Sequence, residues 1–242
     1  MNLILSEWTK LRSTRSFWWT SAAMIIVAGI YGALFGWLAN TSGMPYTPLT
    51  VVSTVSMTIG IVVIVQAAMT VTTEYRFGIP ATNFRLTPQR WRVALAKVVV
   101  GVVGVVVATL LAVVVAFILA DLTTAVPAGW TTNSATQRAL WAVPLGMALL
   151  TLFTQGVGWI VRNTSAAIVI GLSMMLLLET IVGFIPKYGQ DVAKFLPFNN
   201  LIAFMMNQPT QHWELGASLG IFAVWAVALW VIGVLLTEAR DA

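Results

Sequence analysis

Charged residues are almost completely excluded from six long apolar segments, and this exclusion constrains the fold more than any other feature of the sequence. The segments are residues 17–38, 50–73, 98–120, 139–161, 163–185 and 215–236. Of the 21 charged residues, 20 lie outside them. A membrane-spanning helix needs about 20 apolar residues. We therefore predict an all-α integral membrane protein with six transmembrane helices, forming a single transmembrane domain over residues 1–242.

Composition agrees with a membrane environment and narrows the chemistry. The chain is 59% hydrophobic and 9% charged, whereas a soluble domain carries about 25% charged residues. It has no cysteine and a single histidine, His212, which excludes disulfides and thiol catalysis and argues against a histidine metal site. No Gly-x-x-x-x-Gly-Lys-Ser/Thr motif occurs. We therefore expect no Walker A nucleotide site, no cofactor and no enzymatic activity in this chain.

The distribution of lysine and arginine between loops predicts the orientation of the helices, because basic residues favour the cytoplasmic side. With the N-terminus inside, ten basic residues fall on the inner side: Lys10, Arg12, Arg15, Arg76, Arg85, Arg90, Arg92, Lys97, Arg162 and Arg240. Three fall on the outer side: Arg138, Lys187 and Lys194. We expect a multi-pass protein of the inner (plasma) membrane with both termini in the cytoplasm. The net charge of +5 reflects this asymmetry rather than nucleic-acid binding.

The segment before the first apolar run carries an apolar stripe at helical spacing. The stripe is Ile4, Trp8 and Leu11. Charged residues occupy the rest of the turn: Glu7, Lys10 and Arg12. This pattern predicts an amphipathic helix in the inner membrane interface. The alternative is a basic flank that only orients the first transmembrane helix.

The segment 74–97 is the longest and most basic of the cytoplasmic segments. Gly78 and Pro80 interrupt the preceding helix, and Thr82 or Thr87 is a candidate cap for a further helix, with Pro88 suited to its first turn. We expect a short helix parallel to the membrane between the second and third transmembrane helices. The alternative is a basic loop that serves only topology.

Two features mark the outer half of the predicted bundle. Glu179 is the one charged residue inside an apolar segment, where it would line a path, bind a cation or form a structural hydrogen bond, with Gln66 and Gln155 as candidate partners. The outer segment 186–214 contains an apolar stretch around Leu196–Phe198 that is too short to span a membrane. This stretch is either re-entrant, closing the outer end of a pathway, or a loop packed on the helix ends.

A small-xxx-small pattern lies in the first transmembrane segment. Gly32 and Gly36 stand four residues apart, with Gly29 one turn earlier. Such faces allow two helices to approach closely. Packing within the chain and dimerisation both explain the pattern.

Several short motifs, taken in order, resemble those of bacterial ABC-2 type permeases, the membrane subunits of one class of ABC transporter. The first is Glu7-x-x-Lys10-Leu11-Arg12-Ser13-x-Arg15-Ser16 before the first helix. The second is Glu74-Tyr75-Arg76-x-Gly78, then Thr82, then Thr87-Pro88-x-Arg90, then Lys97. The third is Leu196-Pro197-Phe198 before the last helix. The chain departs from the family at Gly78-Ile79, where Gly-Thr is common.

The resemblance implies a transport subunit, usually of an exporter, driven by a separate ATPase that holds ATP and Mg²⁺. It implies three functional groups of residues. The ATPase-coupling loop would be Glu74, Tyr75, Arg76, Gly78, Thr82, Thr87, Pro88 and Arg90. The connecting helix would include Glu7, Trp8, Lys10 and Arg12, and the outer gate Leu196, Pro197 and Phe198.

The expected partners are an ABC ATPase, a second copy of the chain or a homologous permease, and membrane lipid, with no nucleic acid. The few polar groups in the spans indicate a hydrophobic or amphipathic substrate. The alternatives are an ATPase-independent carrier or channel, an accessory immunity or sensor protein, and an intramembrane enzyme. The last lacks the residues for a catalytic site.

Overall fold

The computed structural model describes residues 3–42, 47–80 and 89–239, and within these ranges the regular secondary structure is entirely helical. We number the helices in chain order. The long ones are α2 (Arg15–Ser42), α3 (Pro48–Arg76), α4 (Arg90–Thr123), α5 (Ser134–Val161), α6 (Thr164–Gly183) and α9 (Leu215–Ala239). The short ones are α1 (Leu3–Ser13), α7 (Gly189–Ala193) and α8 (Pro197–Met205).

Each long helix is long and apolar enough to cross a membrane, which confirms the prediction of a multi-pass membrane protein with six spans. Most helices extend beyond the apolar runs, and α4 starts at Arg90, eight residues before the third run. Hydropathy detects the part of a helix that contacts lipid, whereas the helix itself continues into charged flanks. Lys97 is therefore a helical residue and not part of a loop.

Local capping explains where several helices begin and end. Asn163 accepts a hydrogen bond from the Ala166 amide and starts α6. Just before it, Arg162 adopts a left-handed conformation with φ 55° and ends α5, so only a short turn joins these two helices. Gly78, with φ 67°, follows α3, where a residue without a Cβ adopts the left-handed turn without strain.

Helices α3, α4 and α5 form the centre of the bundle, and α5 is the most enclosed of the six spans. Helix α2 packs closely on α4 through its glycine face. A Cβ on Gly32 would lie 2.0 Å from the Ala116 carbonyl oxygen, and one on Gly36 would lie 2.2 Å from that of Ala120. The small-xxx-small pattern therefore serves packing within the chain.

Candidate functional site

A cluster of four charged side chains joins α1 to the ends of two transmembrane helices. The Glu7 carboxylate of α1 accepts hydrogen bonds from Lys10 Nζ at 2.6 Å and from Lys97 Nζ of α4 at 2.7 Å. Lys97 Nζ also donates to Glu74 Oε1 of α3 at 2.8 Å and to the Thr70 carbonyl at 3.4 Å. Lys10 Nζ contacts Glu74 Oε1 at 3.2 Å. We call these four side chains the charged cluster, and the end of the bundle where they lie the α1 end.

Three of the four side chains in the charged cluster are largely shielded from solvent, and the cluster has no net charge. The side chains of Lys97, Glu7 and Glu74 are 4%, 7% and 13% exposed. Charges in such a position are tolerated because each has opposite partners, and removing one partner leaves an uncompensated charge. The cluster therefore holds α1, α3 and α4 together more firmly than exposed ion pairs would.

The two residues of α1 in the cluster stay ionised over a wide pH range. Burial raises the pKa of Glu7, but the attraction of Lys97 and the hydrogen bonds from Lys10 and Lys97 outweigh burial and hold that pKa below its usual value. Burial lowers the pKa of Lys10, but its hydrogen bond and attraction to Glu7 and the contact with Glu74 outweigh burial and raise that pKa above its usual value.

The residues predicted for the N-terminal helix divide between two faces of α1. Glu7 and Lys10 belong to the charged cluster, with Glu7 turned into the protein. Trp8 and Arg12 are exposed, as is Ile4. The apolar stripe predicted for this helix thus has Ile4 and Trp8 on its outer side, whereas the side that contacts the bundle is charged.

The residues predicted for the segment after α3 are also divided by the structure. Glu74 is not in a loop but in the last turns of α3, within the charged cluster. Arg76 is exposed at the end of the same helix. Arg90 begins α4 and donates from Nη1 to the Thr237 carbonyl of α9 at 2.6 Å. Thr82, Thr87, Pro88 and the short helix predicted for them lie outside the described residues.

Tyr75 of that segment lies in a second contact at the α1 end. The Arg162 guanidinium, at the turn between α5 and α6, lies 5.0 Å from the centre of the Tyr75 ring. That ring meets Trp159 of α5 edge-on, with centroids 6.1 Å apart. The end of α3 is thus fixed on one side by the charged cluster and on the other by this cation–π and aromatic contact.

Lys97 completes the charged cluster, but the sequence prediction used it only as a topological charge and as the last residue of the family motif. The position of Lys97 in the helical repeat could have predicted that it is buried. Val93, Lys97, Val100 and Gly104 follow one another at spacings of three or four residues, and all four are buried on one face of α4. A lysine on an apolar helix face requires an acidic partner, which points to the glutamates.

Glu179 and the predicted outer gate, which the sequence presents as separate features, meet in the structure. Glu179 of α6 accepts hydrogen bonds from the Phe198 amide at 2.6 Å and the Asn199 amide at 2.5 Å. These are amides of the first turn of α8, which follows Leu196 and begins with Pro197. Glu179 is 4% exposed and immediately follows a π-helical turn, Met174–Leu178.

The carboxylate of Glu179 therefore caps a short buried helix. The first amides of a helix have no partner within the helix, and water is scarce inside a membrane, so an acceptor from another element stabilises them. A negative charge also favours the helix N-terminus. Phe198 further packs edge-on against Phe153 and Phe222, with ring centroids 5.3 and 5.8 Å apart. This geometry favours the structural alternative for Glu179.

The two glutamines are not the partners of Glu179, so that suggestion was wrong. Gln66 Nε2 lies 3.3 Å from Ser21 Oγ of α2. Gln155 Nε2 donates to Thr70 Oγ1 at 3.1 Å and to the Lys97 carbonyl at 3.4 Å. Both glutamines belong to the α1 half of the bundle, because their partners lie in α2, α3 and the first part of α4.

A cavity of about 390 Å³ opens between α1, α2, α3 and α4. The charged cluster contributes Glu7, Lys10, Glu74 and Lys97 to its lining, and Gln66 lines it too. Apolar walls come from several helices and from the turn after α3: Leu11, Phe17, Met69, Val100 and Phe77. The cavity is thus amphipathic, with charge at one end and an amide farther along α3.

Comparisons with known proteins do not assign a family. The sequence matches no protein-family model, and a search of curated proteins finds no match. In the described residues there is also no group of three or more histidine, cysteine, aspartate or glutamate side chains placed to hold a metal ion.

Proposed function

We propose that this chain is the membrane permease subunit of an ABC-2 type ABC transporter and that a separate ATPase drives it. The charged cluster is the observation that carries the proposal. All four of its members, Glu7, Lys10, Glu74 and Lys97, are residues of the motifs that resemble this family. The resemblance thus concerns residues that contact one another, although 90 positions separate Glu7 from Lys97.

The cluster gives this end of the bundle the form that a driven permease needs. Because buried opposite charges hold α1 against α3 and α4, a partner that pushes on α1 or on the end of α3 moves transmembrane helices with it. Exposed basic residues surround the cluster and are available for docking: Arg12, Arg76 and Arg92. In this proposal α1 is the connecting helix in the inner interface, and the segment after α3 contains the coupling helix.

The proposal also assigns an assembly and an energy source. Two ATPases that close on ATP need two membrane partners, so the permease works as a two-fold pair with itself or a homologue in the inner membrane. ATP and Mg²⁺ bind to the partner, and this chain performs no bond chemistry. ATP drives transport only if it stabilises one conformation of the pair over the other. The transporter exports a hydrophobic or amphipathic substrate, and α8, capped by Glu179, is its re-entrant outer gate.

The test is co-purification from the native host. A tagged chain, extracted in a mild detergent, is expected to bring with it a protein that contains a Walker A motif. The complex should hydrolyse ATP, whereas the isolated chain should not. Hydrolysis by the chain alone, or repeated isolation without any nucleotide-binding protein, refutes the proposal in favour of an ATPase-independent carrier or a sensor.

Charge reversal locates the docking surface. Arg76→Glu combined with Arg92→Glu should weaken co-purification at least tenfold while leaving membrane insertion unchanged, because both side chains are exposed. Arg90 is a poor choice because its contact with Thr237 would also break. The matched control is Lys187→Glu, an exposed basic residue at the opposite end of the bundle. Equal loss in the control and the double variant would contradict the assigned surface.

A further inference from the structure

The cavity between α1, α2, α3 and α4 has the size and lining of a ligand site. Its volume of about 390 Å³ lies at the lower end of the range for small-molecule pockets, about 300–1,000 Å³. Such pockets combine mostly apolar walls with a few polar groups that orient the ligand. Here Phe17, Met69 and Val100 supply apolar wall, and polar groups are found toward both ends.

One end of the cavity contains an amide that is only half satisfied. Gln66 is only 5% exposed and lines the cavity. Its Nε2 contacts Ser21 Oγ, and its Oε1 has no hydrogen-bond partner among the residues that the structure describes. If the two ends of the amide are exchanged, the NH₂ group is left without a partner instead, so one end is unsatisfied in either orientation. A buried polar atom of this kind calls for a partner. A turn of the Gln66 side chain toward the cavity would bring this atom within reach of a ligand hydroxyl, which both donates and accepts and so satisfies either orientation of the amide.

The other end of the cavity presents one available ammonium hydrogen. Lys97 Nζ has three acceptors, from Glu7, Glu74 and Thr70, which use all of its hydrogens. Lys10 Nζ has two acceptors in the cluster, and its side chain is 42% exposed. An ammonium has three donors. Lys10 can therefore bind one further acceptor from a ligand without giving up its contacts to the cluster.

The charge around this end selects the kind of acceptor. The cluster itself is neutral, so it neither attracts nor repels an ion strongly. The exposed residues beside it are basic: Arg12 in α1, Arg15 at the start of α2 and Arg76 at the end of α3. A surface of one sign raises the local concentration of ligands of the opposite sign. The acceptor that Lys10 takes from a ligand is therefore anionic.

The spacing of the two polar ends sets the length of the ligand. Gln66 and Glu74, the contact of Lys10 in α3, are eight residues apart in one helix. At 1.5 Å per residue, this separation is about 12 Å. Among the described residues, apolar side chains and hydroxyls line the cavity between the two polar ends, so the middle of the ligand is uncharged and mostly apolar.

We propose that this cavity binds a single-chain amphipathic anion, whose anionic group contacts Lys10 and whose far end carries a hydroxyl group that contacts Gln66. In the proposed permease it would be the place where substrate is taken up at the α1 end. Binding by the chain alone does not depend on that function. A lipid-derived hydroxy acid and a soluble hydroxylated metabolite share this chemistry.

The test is equilibrium dialysis of radiolabelled probes against the purified chain in phosphatidylcholine nanodiscs, with empty nanodiscs subtracted. The probes are 12-hydroxydodecanoate, dodecanoate, which lacks the hydroxyl, and 1,12-dodecanediol, which lacks the charge. We expect saturable binding of one 12-hydroxydodecanoate per chain. The two other probes should bind about tenfold more weakly, since each lacks one of the two polar contacts.

Variants assign each contact. Gln66→Leu should remove the preference for the hydroxylated acid over dodecanoate, whereas Gln155→Leu, a buried glutamine that does not line the cavity, should keep it. Lys10→Met should remove the preference for the acid over the diol. Met69→Trp should fill the cavity and abolish saturable binding of all three probes. The source of the ligand is tested by supplying 12-hydroxydodecanoate either in donor vesicles or dissolved in buffer. Faster binding from vesicles indicates a membrane source, and faster binding from buffer indicates a soluble one.

Partition into nanodiscs without saturation, or preferences that survive both Gln66→Leu and Lys10→Met, would overturn the proposal. If Gln66→Leu or Lys10→Met does not fold, the proposal is still tested in two ways. The three probes are compared on the unaltered chain, and Met69→Trp shows whether filling the cavity abolishes binding. These results are independent of the ATPase. If the probe binds but no ATPase co-purifies, the permease proposal is refuted and the ligand site stands. If an ATPase co-purifies but no probe binds, the ligand site is refuted and the permease proposal stands.

Discussion

Replacement of Lys97 by methionine tests the view that the charged cluster fixes α1 to the bundle. The change removes the ammonium that contacts Glu7 at 2.7 Å and Glu74 at 2.8 Å. Breaking a buried ion pair by removing one partner costs about 3–5 kcal/mol of the free energy of unfolding. Lys10 still contacts both carboxylates, so we expect a loss at the lower end, about 3 kcal/mol.

A second change separates electrostatics from packing. Glu7→Gln, added to Lys97→Met, leaves the Lys10–Glu74 pair as a neutral remainder of the cluster. The double variant is therefore expected to be more stable than Lys97→Met alone. Two independent losses of packing would instead add and make it less stable. Lys194→Met is the matched control, because its pair with Asp191 is more exposed, and exposed pairs contribute less than about 1 kcal/mol.

The assay follows both global unfolding and the docking of α1. Unfolding in mixed micelles is monitored by the fluorescence of the 11 tryptophans, and docking by thiol labelling of Leu11→Cys, since the chain has no cysteine of its own. Leu11 lines the cavity, so its labelling rate should rise in Lys97→Met and fall again in the double variant. A change in stability below 1 kcal/mol, or additive losses in the double variant, would refute the reasoning.

Three further predictions concern pH, close packing and capping. The pKa of Glu7 is lowered and that of Lys10 is raised, so α1 docking, followed by thiol labelling, should not change between about pH 5 and 10. Gly32→Leu should cost about 3 kcal/mol or prevent folding, because a Cβ there already meets backbone at 2.0 Å. Glu179→Leu should cost about 2–4 kcal/mol, since two buried amides lose their acceptor, and Glu179→Gln about half of that. Unfolding in mixed micelles measures both losses.

Glu7 and Lys10 set the two opposite ends of the pH range over which α1 stays docked. Glu7 contributes stability above its usual pKa of 4.5 and loses it as the pH falls through its lower folded-state pKa. Lys10 contributes below its usual 10.5 and loses it as the pH rises through its higher folded-state pKa. For Gly32 the control is Gly220→Leu, where a Cβ meets no atom of the described residues within 4 Å. A transition near neutral pH, equal losses at the two glycines, or no loss in Glu179→Leu would each contradict the corresponding prediction.

The six spans were predictable because helices that are surrounded by lipid have a distinctive composition, with many apolar and almost no charged residues. Charge avoids the lipid-exposed part of a helix, and the pattern is readable from single residues without any knowledge of tertiary contacts. The same pattern misplaced the start of α4, because residues 90–97 are helical but include the charged residues Arg90, Arg92 and Lys97. Hydropathy locates the membrane core, whereas hydrogen bonding and capping decide where the helix begins.

The charged cluster and the Glu179 cap could not be predicted in full, because each depends on contacts between distant residues. Glu7 and Lys97 are 90 positions apart, and Glu179 and Phe198 are 19 apart, across a chain reversal. The sequence identified Glu179 and the apolar segment at Phe198 as unusual, but periodicity does not say that a carboxylate will face the start of a buried helix. A membrane protein must pair its buried polar groups, yet the rule does not name the partner.

This pairing rule has a mechanical consequence for any conformational change of the bundle. Peeling α1 away from α4 would leave Lys97 and Glu7 as separate charges in a poorly solvated site, so α1, α3 and α4 should move together. Moving α8 away from α6 would expose two amides and the Glu179 carboxylate, so these two helices should also move together. The contacts between the two groups include the Thr72–Thr164 hydrogen bond of 2.8 Å and the Arg162–Tyr75 cation–π contact at the turn before α6, which are both weaker than a buried ion pair. A force applied at α1 is therefore expected to open the boundary between α3 and α6 before it breaks either charged contact.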